Sequence, residues 1–145
     1  MDAGSLDSRC LFCRIIGGQI PCHRIDENQH VLAFLDINPL TAGHTIVVPK
    51  HHAEFLEALP PEWVEGLARA LGPLAARVAR ALGAAGYNVL VNNGQAAGQV
   101  IPHVHFHIIP RREGDGLGYR WKARAASESE LAELAARIAS VPAGG

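Results

Sequence analysis

The sequence Gly-Gln-Val-Ile-Pro-His-Val-His-Phe-His-Ile-Ile-Pro, residues 98–110, is the most informative segment of the chain. Three of the chain's eight histidines alternate with apolar residues here: His103, His105 and His107. Alternate residues of a β-strand share one face. The pattern therefore predicts a strand over residues 104–109, with the imidazoles on one face. The other face would enter the core through its apolar residues, Val104, Phe106 and Ile108.

Three imidazoles this close together indicate either a metal site or a nucleophilic histidine, because neutral imidazole serves both purposes. Strand neighbours two residues apart are separated by ~6.5–7 Å. Two nitrogens on one zinc ion, each at ~2.0–2.1 Å, must lie closer than that. Three histidines in line on a flat strand therefore fit one tetrahedral ion poorly, although two can converge.

The order of the remaining elements predicts an α+β domain with an antiparallel sheet. A short helix over residues 11–16 ends at Gly17-Gly18, and further strands are predicted over residues 30–35, 44–48 and 87–92. A long helix starts at Pro60-Pro61, and Pro73 is expected to kink it or split it in two. Its apolar stripe comprises Leu67, Leu71, Leu74, Val78 and Leu82. Ser127 and Glu130 form a capping box that opens a terminal helix through about residue 138.

Length and composition favour one globular domain, residues 10–145, preceded by a flexible tail over residues 1–9. Of the 145 residues 48% are hydrophobic and 19% charged, and 13 basic against 14 acidic residues give a net charge of −1. A nucleic-acid-binding protein would show a basic surplus, so DNA or RNA is disfavoured as the ligand. No apolar run approaches the ~20 residues of a membrane span, and the first residues lack the features of a secretory signal. We therefore predict a cytoplasmic protein without a membrane partner.

Cys10 and Cys13 form a C-x-x-C pair just before the first predicted helix. In a reducing compartment this spacing indicates a metal site or a redox pair more than a structural disulfide. A thioredoxin-like redox site is disfavoured, because no suitable βαβ pattern follows.

The segment H-V-H-F-H-I-I resembles the signature of the histidine triad (HIT) superfamily, in which three histidines alternate with apolar residues. Three further segments resemble that family in the same order: CLFCRIIGGQIP, VLAFLDINPLTAGHTIVVPKHH and NVLVNNGQAAGQ. The match is to the bacterial, Hint-like branch and covers about residues 10–110. It implies a small α+β fold that forms a homodimer through a shared sheet. It also implies hydrolysis or transfer of nucleoside monophosphates, with cleavage at the α-phosphate.

The resemblance assigns the catalytic roles. His105 would be the nucleophile that forms a nucleotidyl-histidine intermediate, its second ring nitrogen donating to a backbone carbonyl near His103. His44 would orient it or relay a proton. His107, Gln99 and backbone N–H groups of residues 98–100 would stabilise the phosphate. The reaction itself would require no metal.

The resemblance also maps a purine-nucleotide site. Asp36 would accept the ribose hydroxyls, and Asn92 would lie near the triad. Gly94 and Gly98 permit close approach of the backbone to phosphate. The other predicted binding residues are an apolar clamp around the base and the phosphate loop: Phe12, Ile15, Phe34, Ile37, Gly98, Gln99, Val100, His105 and His107. Val100 departs from the family pattern, because Hint-type members carry Ser or Thr there and use its hydroxyl to help the leaving group.

Members with C-x-x-C at this place resemble zinc-bound proteins. The implied ligands of a structural zinc are Cys10, Cys13, His103 and one histidine of the P-K-H-H segment, His52 ahead of His51. With these ligands, the His103 ring would face the zinc ion and the His105 ring would face the phosphate.

The sequence is compatible with several hypotheses for the function. The substrate can be a nucleoside phosphoramidate, a nucleotidyl ester or a dinucleoside polyphosphate. The alternative is a nucleotide-binding interaction module with incidental turnover, and a third reading is a metalloenzyme that uses all three histidines. We also expect Leu67, Leu71 and Leu74 to contribute to a helix contact between subunits. Residues 119–121 are expected to reach over a nucleotide site.

Overall fold

A computed structural model of the chain describes residues 6–118 and 121–144. The chain forms two compact units that meet in sequence at Asp115 and Gly116. Among the described residues, no helix has both the length and the apolar character needed to cross a bilayer.

The first unit is built on a five-stranded antiparallel sheet with the order β1-β2-β3-β5-β4. Its helices are α1, Leu11–Ile16, and α2, Pro61–Ala81. Two short 3₁₀ turns, Leu56–Ala58 and Gln95–Ala97, lie in the connections. The strands are β1, Arg24–Glu27; β2, Val31–Leu35; β3, Thr45–Pro49; β4, Gly86–Val91; and β5, Phe106–Arg111.

Apolar side chains cover both faces of the central strands, so the sheet separates two cores. On one face Val47 and Ile108 pack in a cluster with Leu67 and Leu74 of α2. On the other face, side chains of β2 and β3 pack with residues of α1. Strands buried on both sides are continuously apolar, and β2 and β3 are almost wholly buried.

Two strand predictions need correction. Sequence analysis missed β1, because its residues Arg-Ile-Asp-Glu are mostly exposed and show little apolar alternation. It also began β5 two residues early. Val104 donates its N–H to the carbonyl of Ala53 rather than to a neighbouring strand. His103 and His105 therefore precede the strand, and only His107 lies within it. The predicted alternation still holds, since Val104, Phe106 and Ile108 all belong to the α2-side core.

The helix α2 is continuous through Pro73, so of the two predicted effects, a kink or a division into two helices, the division is wrong and the kink stays a prediction. Proline removes one N–H and leaves the carbonyl four residues earlier, that of Arg69, without its helical donor. Both Pro73 and Arg69 are exposed, so water can satisfy that carbonyl. Packing of the opposite face against the sheet holds the helix together.

The predicted intersubunit role of the α2 leucines also needs correction. Leu67 and Leu74 are buried in the chain's own core, and Leu71 packs against the same cluster. Leu67 and Leu74 therefore offer little surface to another subunit, whereas the contact predicted for the half-buried Leu71 stays a prediction.

The predicted tail, residues 1–9, is described only from Leu6 onward. Leu6 packs against the α1-side core, and the carbonyl of Asp7 accepts the N–H of Cys10.

The second unit contains α3, Glu128–Ala139, close to the predicted helix. Ser127 caps it by accepting the N–H of Glu130, as the capping box requires. Tyr119 and Arg120, predicted to reach over a nucleotide site, lie outside the described residues, and Trp121 is 82% exposed.

Candidate active site and metal centre

The functional histidines come together where β3 and β5 pair. Ile46 of β3 faces His107 of β5, which brings His44, just before β3, alongside. His105 lies two residues before His107, and their ring centroids are 4.9 Å apart. Asp36 follows β2, so three neighbouring strands supply one cluster of polar side chains.

The hydrogen bond of His105 fixes which of its ring nitrogens has a free lone pair. Nδ1 lies 2.7 Å from the main-chain oxygen of His103. A carbonyl oxygen only accepts, so Nδ1 carries the proton and Nε2 keeps a free lone pair. His105 is only 6% exposed, yet it lines a pocket of about 480 Å³ beside the histidines, called the main pocket below. Its Nε2 can therefore attack a bound electrophile without losing a proton first.

His44 and His107 form a directional chain of hydrogen bonds. The N–H of Leu40 donates to Nδ1 of His44. His44 must then carry its proton on Nε2, which donates to Nδ1 of His107 over 2.8 Å. Nε2 of His107 consequently carries a proton that it can donate. The Leu40 contact could not be predicted from the sequence, because backbone donors in a loop leave no residue-type signal.

Burial keeps these imidazoles neutral at neutral pH. It lowers the pKa of His107 to about 4, with help from the neighbouring His105 and His44. Burial also lowers the pKa of His44, and the Asp36 carboxylate only partly opposes this. Burial lowers the pKa of His105 too, against the smaller opposing effects of its hydrogen bond to the His103 carbonyl and of Asp36. A neutral His105 is a competent nucleophile, and a neutral His107 is a hydrogen-bond donor.

Beside the histidines lies a pocket of about 480 Å³. Nearly all the predicted nucleotide-binding residues line it: Phe12, Ile15, Phe34, Asp36, Ile37, Asn92, Gly98, Val100, His105 and His107. Sequence reasoning missed eight further lining residues: Leu11, Ile20, Pro21, Cys22, Leu35, Asn38, Ile46 and Ile101. Ile46 was within reach of prediction, because it faces Phe34 across the β2–β3 pair.

Gln99 does not line that pocket. Its side-chain oxygen accepts the N–H of Gly94, and its Nε2 donates to the carbonyls of Glu54 and Ile101. The N–H groups of Gly98 and Gln99 are bonded to carbonyls within the same loop. The Gln99 side chain therefore holds the loop, where the sequence predicted a phosphate donor.

Val100 lies at the junction of two cavities. It is 85% exposed and lines both the main pocket and a second cavity of about 380 Å³, together with Gly98. The second cavity also includes Glu54 and Gln95. A leaving group that passed this loop on its way out of the main pocket would meet the apolar side chain of Val100.

Cys10, Cys13, His52 and His103 converge next to the active site, and their ligand atoms all lie within 4.8 Å of one another. Nδ1 of His103 is 3.3 Å from Nδ1 of His52 and 3.4 Å from Sγ of Cys10. Sγ of Cys13 lies 3.4 Å from Nδ1 of His52. Tetrahedral zinc with bonds of ~2.0–2.1 Å to nitrogen and ~2.3 Å to sulfur requires separations of ~3.3–3.8 Å between ligand atoms. The four residues fit such an ion.

The tautomer of His103 suits the same role. Its Nε2 donates to the carbonyl of Pro49 over 3.1 Å, so Nδ1 presents a lone pair to the two cysteines. Burial lowers the pKa of His103 to about 4 and raises the pKa of the Cys13 thiol to about 12. A cation at this point would favour the thiolate, which is the form that binds metal.

The structure separates the three triad histidines rather than joining them around one ion. His103 faces the cysteines, while Nδ1 of His105 and of His107 bond to a carbonyl and to His44. His51, the second choice as metal ligand, stacks on Trp63 with ring centroids 5.3 Å apart. The geometry thus gives no support to a three-histidine metalloenzyme.

Comparison with known proteins identifies the family of this chain. The model of the HIT domain matches residues 17–114, about two thirds of the chain. The chain belongs to the HIT family. A relative in Schizosaccharomyces pombe, named adenosine 5'-monophosphoramidase, is 43% identical over 132 residues, covering 90% of this chain and 96% of its own.

Two solved HIT structures resemble this one. A member of the HIT family from Bacillus subtilis is 40% identical with a TM-score of 0.88, covering 95% of this chain and all of its own. A histidine triad family protein from Mycobacterium smegmatis, described as zinc-bound, is 43% identical with a TM-score of 0.69, covering 88% and 96%. The fold and family predicted from the sequence are confirmed.

Proposed function

We propose that this HIT protein is a hydrolase that cleaves purine nucleoside phosphoramidates at the α-phosphorus and releases the nucleoside monophosphate. The similarity to a protein named adenosine 5'-monophosphoramidase supports this choice of substrate. The observation that carries the proposal is the hydrogen bond from Nδ1 of His105 to the His103 carbonyl. It leaves Nε2 unprotonated at the wall of a nucleotide-sized pocket.

The reaction would proceed in two displacements. The lone pair of Nε2 in His105 attacks the α-phosphorus, the bond from phosphorus to the leaving nitrogen breaks, and that nitrogen takes up a proton from solvent water. A second water then attacks phosphorus and releases a proton to solvent, the bond to His105 breaks, and the monophosphate departs. Covalent catalysis divides one difficult step into two easier ones.

A few hydrogen-bond donors would stabilise the phosphoryl oxygens. The first is the Nε2–H of His107, which His44 orients through its hydrogen bond to Nδ1. Among the described residues, the Val100 N–H is the one amide of residues 98–100 without an intramolecular acceptor. Donors fixed in place before the reaction stabilise developing charge at little cost in reorganisation.

The rest of the pocket suits a nucleoside. Oδ1 of Asp36 accepts the N–H of Asn38, and Oδ2 lies 3.7 Å from Nε2 of His44, which already donates to His107. That oxygen can accept a ribose hydroxyl. Ile15, Phe34 and Ile37 supply apolar walls for a base.

We further propose that Cys10, Cys13, His52 and His103 hold a structural zinc ion. A closed Cys₂His₂ set leaves no open coordination position, so the ion would stabilise the fold and take no part in the chemistry. Metal analysis of protein purified without added metal should give about one zinc per chain. Replacing Cys13 with Ser should remove most of it, and an unchanged zinc content would contradict the assignment.

One observation favours a second candidate, a nucleotide-binding interaction module with incidental turnover. Val100 offers no hydroxyl to assist a leaving group. In that case AMP would bind while phosphoramidates, nucleotidyl esters and dinucleoside polyphosphates all remained intact.

The test uses a nucleoside phosphoramidate labelled in its AMP moiety. Acid quenching of the wild type during turnover should trap label on the protein, and His105→Ala should trap none and lose hydrolysis. His23→Ala is the matched control, because His23 is exposed and lies outside the pocket. Equal hydrolysis by wild type and His105→Ala would refute the proposal.

A further inference from the structure

Phe12 makes contacts that a wall of a base pocket does not need. Its ring is 4% exposed and meets the ring of His105 edge to face, with centroids 4.9 Å apart and an interplanar angle of 74°. It also meets His103 at 5.9 Å and Phe34 at 5.8 Å, both edge to face. Phe12 therefore touches the nucleophile, a member of the Cys/His cluster and the core at once.

The Cys/His cluster fixes the backbone that carries Phe12. Cys10 caps α1, with its Sγ accepting the N–H of Cys13, and both sulfurs belong to the cluster with His52 and His103. A helix of six residues has no stability of its own. The position of the Phe12 ring therefore depends on the two cysteines on either side of it.

His105 needs a second restraint besides its hydrogen bond. The bond from Nδ1 to the His103 carbonyl fixes one edge of the ring but permits rotation about the N–H···O axis. Rotation would swing Nε2 away from phosphorus. The buried Phe12 ring, in edge-to-face contact with the imidazole, restrains this motion. Attack requires reacting atoms within a few tenths of an ångström of their productive positions.

We propose that Phe12 is a positioning residue for His105, fixing the plane of the nucleophilic imidazole from a helix anchored by the Cys/His cluster. The proposal rests on the function proposed above, in which His105 attacks phosphorus. It assigns Phe12 a task beyond the predicted apolar clamp around the base.

The two tasks predict different kinetics. In Phe12→Leu, loss of positioning lowers kcat by about ten- to one-hundredfold and leaves KM within about threefold of the wild type. Formation of the labelled His105 adduct slows by the same factor as kcat. Loss of a base clamp alone would raise KM and leave kcat unchanged, and that result would overturn the proposal.

Two measurements separate positioning from general damage. The Nδ1–H proton of His105, observed by NMR in the free protein, should be sharp in the wild type and broadened in Phe12→Leu. The zinc content should be the same in both. A sharp, unshifted proton in the variant would contradict the inference.

The matched control is Ile16→Ala, on the same helix. Ile16 packs against the same core but does not line the pocket. Its kcat should match the wild type although its melting temperature falls. If Phe12→Leu does not fold, Phe12→Met replaces it, because the flexible thioether fills the space without a ring. A wild type that forms no adduct at all would instead refute the proposed function.

Discussion

Each histidine of residues 103–107 is suited to a different proposed role because each has a different hydrogen-bond partner. His103 donates to Pro49 and offers Nδ1 to the cysteines. His105 donates to a carbonyl and keeps Nε2 free, whereas His107 accepts from His44 and keeps a proton to donate. The residue types are identical, so the hydrogen-bond partner alone sets the chemical role of each ring.

Val100 is the residue at which activity can be raised. A hydroxyl at this loop would donate a proton to the leaving group, and general acid help is worth about 10²–10⁴-fold. Val100→Ser should therefore raise kcat for a phosphoramidate by at least about tenfold. Val100→Ala is the control, because it shortens the side chain without adding a donor. An equally large increase of kcat in Val100→Ala would show that the smaller side chain, rather than the hydroxyl, causes the gain.

The pH profile should reflect the buried imidazoles. His105 must be unprotonated to attack, and burial holds its pKa below the usual 6.5. The acid limb of kcat/KM should therefore have its midpoint below pH 6.5, with a plateau above it. Rates corrected for spontaneous hydrolysis between pH 4 and 8 measure this, and a midpoint above 6.5 would contradict a buried neutral nucleophile.

At the scale of elements, α1 joins the proposed zinc site to the pocket. It carries Cys13 on the cluster side and Leu11, Phe12 and Ile15 on the pocket side. Removal of zinc by chelation should therefore lower the melting temperature and also weaken AMP binding in calorimetry. Cys22→Ser, outside the cluster, should keep its zinc. Unchanged AMP affinity after complete zinc removal would show that α1 holds its place without the ion.

The helix α2 contains an avoidable weakness at Pro73. Proline inside a helix costs about 3 kcal/mol relative to alanine, although its stiffening of the unfolded chain returns part of this. Pro73→Ala should raise the free energy of unfolding by about 1–2 kcal/mol, measured by urea denaturation. Gly72→Ala, its exposed neighbour with open space around it, should add about 1 kcal/mol by propensity alone. A destabilised Pro73→Ala would mean that the proline fits a bend that the packing requires.

At the scale of the whole molecule, the homodimer implied by family resemblance stays a prediction. The sheet has two edges, β1 with charged residues and β4 with Tyr87 and Val89, which are 45% and 40% exposed. An apolar edge strand invites pairing, whereas a charged one resists it. We expect a dimer by light scattering, converted toward monomer by Val89→Lys. Arg24→Lys on β1 should leave the mass unchanged, and a wild-type monomer would contradict the prediction.

The sequence by itself determined the family, the α+β class and most of the pocket residues. The alternation of residues 103–109 and the order of the motifs are local patterns. Such patterns can be recognised in the sequence without knowledge of the tertiary structure. It missed β1, whose residues Arg24–Glu27 carry no apolar period, because its pairing with β2 is a tertiary event. It also placed Leu67 and Leu74 at a subunit interface, since an apolar stripe does not say which surface will cover it.

Only the tertiary structure decided how the candidate site is arranged. It brought the loop of Cys10 and Cys13 against His52 and His103, and it turned the Gln99 side chain inward to hold its own loop. Hydrogen-bond direction and ring packing depend on backbone groups such as the His103 carbonyl and the Leu40 N–H, which every residue possesses. Such contacts leave no trace in residue types, so tautomers and ring planes emerge only when distant segments meet.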